Sequence, residues 1–132
     1  MAGYPRSPKR NSYVQTKFNT ASPGQRVVLM YDGIIKYLTL AQQAFALEGP
    51  ERIEKIHDHL TRVAQIISEL RLALDHKADN ELASTLENLY IFWERQLSDA
   101  NTKKKPDNIA DVLNMVTELR DTWNNALQGE AQ

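Results

Sequence analysis

The feature that most constrains the fold is the spacing of apolar residues between positions 51 and 75. They recur at alternating intervals of three and four residues: Ile53, Ile56, Leu60, Val63, Ile67, Leu70 and Leu74. These intervals place the residues on one face of an α-helix. Sustained over about three heptads, the alternation is typical of helices that pack nearly parallel to a neighbour. This segment therefore predicts a long helix packed along another helix.

Three further segments, roughly 23–47, 80–102 and 107–128, have the same kind of spacing. Their apolar residues are Val27, Met30, Ile34, Leu38, Ala41 and Phe45, then Leu82, Leu86, Leu89, Trp93 and Leu97, then Ile109, Val112, Val116, Leu119, Trp123 and Leu127. Gly49 and Pro50 separate segment 23–47 from segment 51–75. Asp79 or Asn80 caps segment 80–102, and Gly129 ends segment 107–128. Short connections make successive helices alternate in direction, so we predict an all-α fold, an antiparallel up-down four-helix bundle.

The N-terminal residues differ in character from the rest of the chain. Every charged side chain from Met1 to Arg26 is basic, and prolines and small polar residues dominate about the first dozen positions, which we do not expect to sustain a helix. We assign residues 1–20 to a flexible N-terminal arm or cap and residues 21–128 to the bundle. Tyr13, Val14 and Phe18 are apolar, and we expect them to dock on another surface.

Composition bounds the possible functions. A chain of 132 residues is expected to form one domain. It has no cysteine, which excludes disulfides and thiolate metal sites, and its net charge of -1 argues against a nucleic-acid partner. No apolar run approaches the roughly 20 residues of a membrane-spanning helix. We expect a soluble, cytoplasmic protein without membrane insertion.

Two segments carry more apolar side chains than one helix contact requires. Val28, Tyr31 and Ile35 form a second set beside the first stripe, and Tyr90, Ile91 and Phe92 surround Leu89 and Trp93 in the third segment. A wide apolar stripe has more surface to bury than its neighbours can cover. Either tight packing and the docked arm hide the excess, or apolar grooves bind amphipathic helices of a partner. The two interpretations are compatible if arm and partner compete.

The start of the first long helix carries a motif of its own. In Thr20-Ala21-Ser22-Pro23, Ser22 is a predicted N-cap, Pro23 occupies the first helical position, and Gln25 completes a capping box. With Tyr31-Asp32-Gly33, this segment resembles the FliS family of flagellin secretion chaperones. Further matches follow in order: Tyr13 and Phe18 before the motif, Ile66-Ile67-Ser68-Glu69-Leu70, Leu86-Glu87-Asn88-Leu89-Tyr90, Leu97 with Ala100-Asn101, and Glu118-Leu119-Arg120-Asp121-Thr122-Trp123. The resemblance covers about residues 13 to 126.

The resemblance implies a small antiparallel four-helix bundle that is not an enzyme. It implies a cytoplasmic export chaperone that binds the disordered C-terminal segment of flagellin, prevents premature polymerisation and holds flagellin for flagellar type III secretion. Other flagellar export or regulatory proteins are additional candidate partners. The residues expected to bind the partner are Tyr13, Phe18, Val28, Tyr31, Ile35, Tyr90 and Ile91. Tyr13 and Phe18 match the family's displaceable N-terminal segment, and we hypothesise that they cap a groove formed partly by Val28, Tyr31 and Ile35.

One departure from the family concerns Arg26, where members commonly have an aliphatic residue. Either the first turn is more exposed here, or the arginine stem covers apolar surface while its charge stays in water. Two residues of the Tyr31-Asp32-Gly33 segment need separate explanations. Gly33 inside a helix indicates close approach of another helix, and Asp32 is expected to be solvated or hydrogen-bonded rather than catalytic, because no acid or histidine pairs with it at helical spacing.

Two other functions are compatible with parts of the sequence. Arg71 and His76 fit the spacing of helical HEPN-type ribonucleases, although Leu72 stands where those enzymes usually have a polar residue. A generic regulatory bundle that binds another amphipathic helix is the second alternative. We expect no metal at His57 and His59, which point to different helix faces. The sequence contains no phosphate-binding glycine motif, and we expect no cofactor. Lys103, Lys104 and Lys105 form a solvated helix end or a patch for an acidic partner, and a monomer and an arm-exchanged dimer both remain open.

Overall fold

The computed structural model describes the backbone of residues 8–131 and the side chains of residues 14–129. Over this range the chain forms five α-helices and no β-strand, in agreement with the predicted all-α class. In chain order the helices are α1 Pro8–Thr20, α2 Pro23–Phe45, α3 Glu51–Leu72, α4 Asn80–Lys103 and α5 Asp107–Ala131.

The predicted helix starts are confirmed at α2 and α4. The backbone N–H of Gln25 donates to Ser22 Oγ at 3.2 Å, and the Ser22 N–H donates to Gln25 Oε1 at 2.9 Å, which is the reciprocal capping box. At α4 the cap is Asp79, whose carboxylate accepts the Leu82 N–H at 3.0 Å. Each cap satisfies backbone donors that have no partner inside the helix.

Two predicted helix ends are wrong. Helix α3 ends at Leu72 rather than near residue 75, because the Asp75 carboxylate accepts the backbone N–H groups of Lys77 and Ala78 and holds the chain in a turn. Helix α5 continues through Gly129 to Ala131. A glycine inside a helix costs only about 1 kcal/mol relative to alanine, and this one does not adopt the positive φ of a helix stop.

The core lies among the four long helices. Helix α2 packs against α3 and α5, and α4 packs against the same two helices. Trp93, Tyr31 and Tyr90 are the largest side chains in this core. Aliphatic residues from α2, α3 and α5 surround them, namely Ile34, Leu38, Ile56, Val63, Ile67, Ile109, Val112 and Val116.

Two residues of the predicted stripes are exposed rather than buried in this core. Ile53 is 57% exposed and Leu82 is 45% exposed. Each lies in the first turn of its helix, α3 and α4 respectively, at the end of the helix pack where fewer neighbours reach. Trp93 is buried as predicted, and Trp123 is partly buried against the core.

The N-terminal segment is more regular than expected. Residues from Pro8 onward form helix α1, because proline at a helix start loses no hydrogen bond and its fixed φ suits the first turn. The segment before Pro8 and the side chain of Tyr13 lie outside the described residues. None of the helices between residues 8 and 131 combines the length and the apolar character needed to cross a bilayer.

Candidate functional site

An apolar groove of about 460 Å³ runs between helices α1, α2 and α3, and we call it the α1–α3 groove. Helix α1 supplies Val14 and Phe18 to its wall, α2 supplies Leu29, Met30, Gly33 and Tyr37, and α3 supplies Ile66. Charged side chains stand at its rim: Lys17, Asp32, Lys36 and Glu69. Val14 remains 60% exposed, so helix α1 covers the groove incompletely. This apolar floor with a charged rim suits the apolar face of an amphipathic helix.

Arg26 fastens the end of helix α1 to helix α2. Its Nε donates to the Phe18 carbonyl and its Nη2 donates to the Asn19 carbonyl, both at 3.3 Å. The guanidinium also lies over the Phe18 ring, 5.7 Å from its centre. Carbonyl groups in the last turn of a helix lack intrahelical partners, so the arginine satisfies two of them and positions the Phe18 ring. Of the two interpretations of Arg26, the structure favours the one in which its side chain covers apolar surface.

Gly33 of helix α2 faces Ile66 of helix α3 at the groove. A β-carbon placed at Gly33 would lie 3.2 Å from Ile66 Cδ1, tighter than an ordinary van der Waals contact. This confirms that the glycine permits close approach of a neighbouring helix. Because Gly33 and Ile66 both line the groove, the missing side chain also deepens it.

Asp32 connects helix α2 to helix α5. Its Oδ1 accepts a hydrogen bond from Arg120 Nη1 at 2.7 Å, and Arg120 Nε donates to Asp121 at the same distance. Hydrogen bonds with Asp121 and then Asp32 raise the pKa of Arg120. The expected hydrogen-bonded role of Asp32 is confirmed. Beside this pair lies a more polar hollow of about 650 Å³, the α2–α5 hollow, lined by Val28, Leu29, Arg120 and Leu127 among others.

Tyr31 and Tyr90 meet inside the core. Their hydroxyl oxygens are 2.6 Å apart in a buried hydrogen bond between α2 and α4. Burial raises the pKa of Tyr31, with the neighbouring Tyr90 as the next cause, and burial also raises the pKa of Tyr90. Both phenols therefore remain neutral at physiological pH. Their hydrogen bond holds α2 and α4 in a fixed relative position.

The structure does not bring the seven predicted partner-binding residues onto one surface. Phe18 lines the α1–α3 groove, Val28 lines the α2–α5 hollow, and Tyr31 and Tyr90 are core residues whose rings are shielded from water. Ile35 and Ile91 are half-buried on their helices. Tyr13 lies in α1, and its side chain is outside the described part of the chain.

Three residues that form the groove wall were not identified from the sequence, namely Leu29, Tyr37 and Ile66. Leu29 lines both the groove and the hollow, and Ile66 forms part of the groove wall. A signal for Leu29 was present, because residues 27–31 are five consecutive apolar positions and must cover more than one helix face. Ile66 likewise stands beside the stripe residue Ile67, as Val28 stands beside Val27.

The residues that could serve a ribonuclease or a metal site have separate partners. Arg71 pairs with Glu94 at 2.9 Å, whereas His76 contacts Asn80 at 3.2 Å. His57 contacts Asn101, and His59 stacks on Tyr37. Among the residues that the structure describes, no three or more potential metal ligands come together.

The lysines at the end of α4 stabilise that helix end. Lys103 pairs with Asp99 at 3.1 Å one turn earlier, and Lys104, in the left-handed conformation, donates to Asn101. The Lys104 backbone N–H also donates to the Ala100 carbonyl.

Comparison with known proteins points to one family. Residues 6–130 match the family model described as Flagellar protein FliS. The chain is 34% identical over 119 residues to the flagellar secretion chaperone FliS of Bacillus subtilis, covering 90% of this chain and 86% of the relative. The protein of the same name from Campylobacter jejuni is 30% identical over 113 residues, covering 86% of each chain. The Escherichia coli protein of that name is 26% identical over 115 residues, covering 86% of this chain and 82% of the relative.

Proposed function

The chain belongs to the FliS family of flagellar secretion chaperones, and from this premise we propose that it binds the C-terminal segment of flagellin before export. Family membership makes it a chaperone and not an enzyme. In this proposal it works in the cytoplasm, prevents flagellin from polymerising there and holds it for the flagellar type III secretion apparatus. The single observation that carries the proposal is the apolar α1–α3 groove, which the chain's own side chains leave partly open.

The physical basis is removal of apolar surface from water. A flagellin segment that is disordered before assembly would lay the apolar face of a helix on Leu29, Met30 and Ile66. Each Å² of apolar surface buried contributes about 25 cal/mol, from which the cost of ordering the segment is subtracted. The same burial hides the surface through which flagellin would polymerise, so one interaction both blocks assembly and stores the client.

Helix α1 is proposed to act as a cap that the client displaces. Phe18 already lies in the groove, and Tyr13 precedes it by five residues on the same helix. Val14 is mostly exposed and Arg26 holds only the last turn of α1, which supports a cap that opens without disturbing the core. Residues 1–20 are thus proposed as a cap and residues 21–128 as the body that carries the client.

The remaining predicted contact residues take different roles in this proposal. Val28 offers a contact in the α2–α5 hollow rather than in the groove, Ile35 packs against the core from α2, and Ile91 offers a contact on α4. Tyr31 and Tyr90 support the binding surface from inside, because their hydrogen bond sets the positions of α2 and α4.

We further propose that the four long helices form an antiparallel up-down bundle. Between α2 and α3, Gly33 meets Ile66, Tyr37 meets His59 and Phe45 meets Arg52, so positions in α3 decrease as positions in α2 increase. Between α2 and α5, Gly24 meets Leu127 and Asp32 meets Arg120, with the same reversed order. These pairings support antiparallel neighbours.

The experiment is a binding titration of the full chain with two forms of monomeric flagellin, intact and lacking the C-terminal segment. The proposal expects binding of intact flagellin and loss of binding to the truncated form. Equal binding of both forms, or binding of neither, would contradict it.

A matched pair of variants tests the groove itself. Leu29→Asp places a charge in the groove wall and is expected to weaken binding at least about tenfold, because the carboxylate must be desolvated. Leu72→Asp is the control, since Leu72 is 85% exposed at the end of α3 and does not line the groove. Circular dichroism checks that both variants remain helical. Equal affinity of the two variants would remove the groove from the binding site.

A further inference from the structure

A group of positive charges lies at the end of the α1–α3 groove, around the ring of Tyr37. Lys36 Nζ is 5.3 Å from the centre of this ring and the Arg62 guanidinium carbon is 5.5 Å from it. The imidazole of His59 stacks on the same ring, with 6.3 Å between the ring centres. Two cations from two helices, α2 and α3, are therefore gathered on one aromatic side chain.

These two cations have no acidic partner within residues 14–129. The ion pairs in this range involve Lys55, Arg71, Lys103 and Arg120 instead. Asp58 stands one turn before Arg62 on α3, yet it forms no ion pair with that arginine. Both cations are exposed, so an incoming carboxylate can reach them without displacing a protein group.

Tyr37 joins this cationic group to the apolar groove. It lines the α1–α3 groove and also a second hollow of about 330 Å³, which includes His59 and Arg62. Lys36 is at the groove rim. A helix lying along the groove would thus carry its apolar face over Met30 and Ile66 and reach the two cations at the groove's end.

His59 packs on Tyr37 but contributes no positive charge to this group. Burial lowers the pKa of His59, with the nearby Lys55 acting in the same direction and Asp58 acting against them. The imidazole is therefore neutral at pH 7, and the positive charge facing the groove comes from Lys36 and Arg62. Glu69 lies at the groove rim, and Asp32 is paired with Arg120.

We propose that Lys36 and Arg62, held against Tyr37, form the docking point for a carboxylate side chain that flanks the apolar face of the bound flagellin segment. This inference rests on the proposed function, because it assigns a contact within the same groove. The apolar groove supplies affinity, and the cation pair fixes the direction and register in which the segment lies. An arginine and a lysine at one point select an acidic residue there and disfavour a basic one.

The test compares charge variants of the full chain in titrations with intact monomeric flagellin at two salt concentrations. Lys36→Glu with Arg62→Glu reverses both charges. Lys77→Glu with Arg95→Glu makes the same change in net charge at exposed positions outside the groove and is the matched control. Lys36→Arg with Arg62→Lys keeps both charges and tests whether cationic side chains alone suffice. Thermal unfolding confirms that each variant folds.

At low salt we expect the reversed pair to bind flagellin about tenfold or more weakly, the control to bind like the wild type, and the exchanged pair to retain most of the affinity. Raising the salt from about 0.05 M to about 0.5 M should weaken the wild type and the control, but have little effect on the reversed pair or strengthen its binding.

Equal affinities of the wild type and the reversed pair would overturn the docking point and leave the proposed function standing. An equally large loss in the control would also overturn it, because net charge rather than position would then matter. Absence of flagellin binding by the wild type would overturn both the docking point and the proposed function.

Discussion

Tyr31 and Tyr90 show how a single pair of side chains determines the position of two helices. Each hydroxyl is buried, and each has the other as its hydrogen-bonding partner at 2.6 Å. Replacing one of them by phenylalanine leaves a buried hydroxyl unpaired, whereas replacing both removes the need for a partner. We expect Tyr31→Phe or Tyr90→Phe to lower the free energy of unfolding by about 1–3 kcal/mol and the double variant to lose less than the sum. Urea unfolding measures this, and strict additivity would show that the bond is not shared as described.

The same pair predicts a loss of stability at alkaline pH. Burial raises both phenol pKa values in the folded chain, while a tyrosine in the unfolded chain has a pKa of about 10. Below that pH the folded and unfolded chains bind the same number of phenol protons, so the contribution of the pair to the free energy of unfolding is fully present. Above it the unfolded chain releases protons that the folded chain retains, so stability falls as the pH rises. The slope of unfolding free energy above about pH 10 should be smaller in the Tyr31→Phe, Tyr90→Phe variant. Parallel slopes would contradict the assignment.

At the scale of elements, the junction between α1 and α2 depends on Arg26. Arg26→Met keeps an apolar stem but removes both hydrogen bonds to the last turn of α1. These bonds are partly exposed and worth about 0.5–1 kcal/mol together. If α1 is the displaceable cap, its release becomes easier by this amount and flagellin binds about two- to fivefold more tightly.

Two measurements check this prediction. Amide hydrogen exchange of residues 14–20 should accelerate in Arg26→Met, and the flagellin titration should show the gain in affinity. Arg26→Lys keeps the positive charge but lacks the planar set of donors of arginine. Its exchange rate and its affinity should lie between those of the wild type and those of Arg26→Met. Faster exchange with unchanged affinity would mean that α1 does not compete with the client.

The helices were largely predictable because their signals are local. The capping boundary at Ser22, the cap at Asp79 and the stripes of α3 and α5 all follow from short-range spacing. The errors arose where tertiary or side-chain contacts decide. The Asp75 turn ended α3 early, and Arg26, placed at the start of α2, satisfies the last turn of α1. The Asp75 bonds reach only two and three residues along the chain, but the apolar stripe that continues to Leu74 concealed this turn. The Arg26 bonds have no fixed sequence spacing, so pattern alone did not reveal them.

The site was less predictable than the helices. The sequence indicated that α2 has more apolar surface than one contact needs, and Phe18 does line a groove on it. It did not indicate which surplus residues face inward. Tyr31 turns into the core, where its hydroxyl forms a hydrogen bond with that of Tyr90, 59 residues further along the chain, while half-buried Leu29 lines the groove. Which of two adjacent apolar residues faces the core depends on the rotation of each helix about its own axis. Periodicity determines this rotation only to within about one residue.

At the scale of the molecule, the fold separates stability from binding. The core among the four long helices includes Trp93 and Ile67, which are fully buried, whereas the α1–α3 groove lies outside it, beside helix α1, whose last turn Arg26 holds. Opening the groove therefore need not loosen the core. This arrangement suits a chaperone that must take up and release a client without unfolding itself.

The most direct test of the central claim is amide hydrogen exchange of the full chain with and without intact monomeric flagellin. If flagellin occupies the α1–α3 groove and displaces the cap, protection should increase in residues 27–37 of α2 and 59–69 of α3, while residues 14–20 of α1 exchange faster. Protection confined to α4 and α5, with α1 unchanged, would contradict the account.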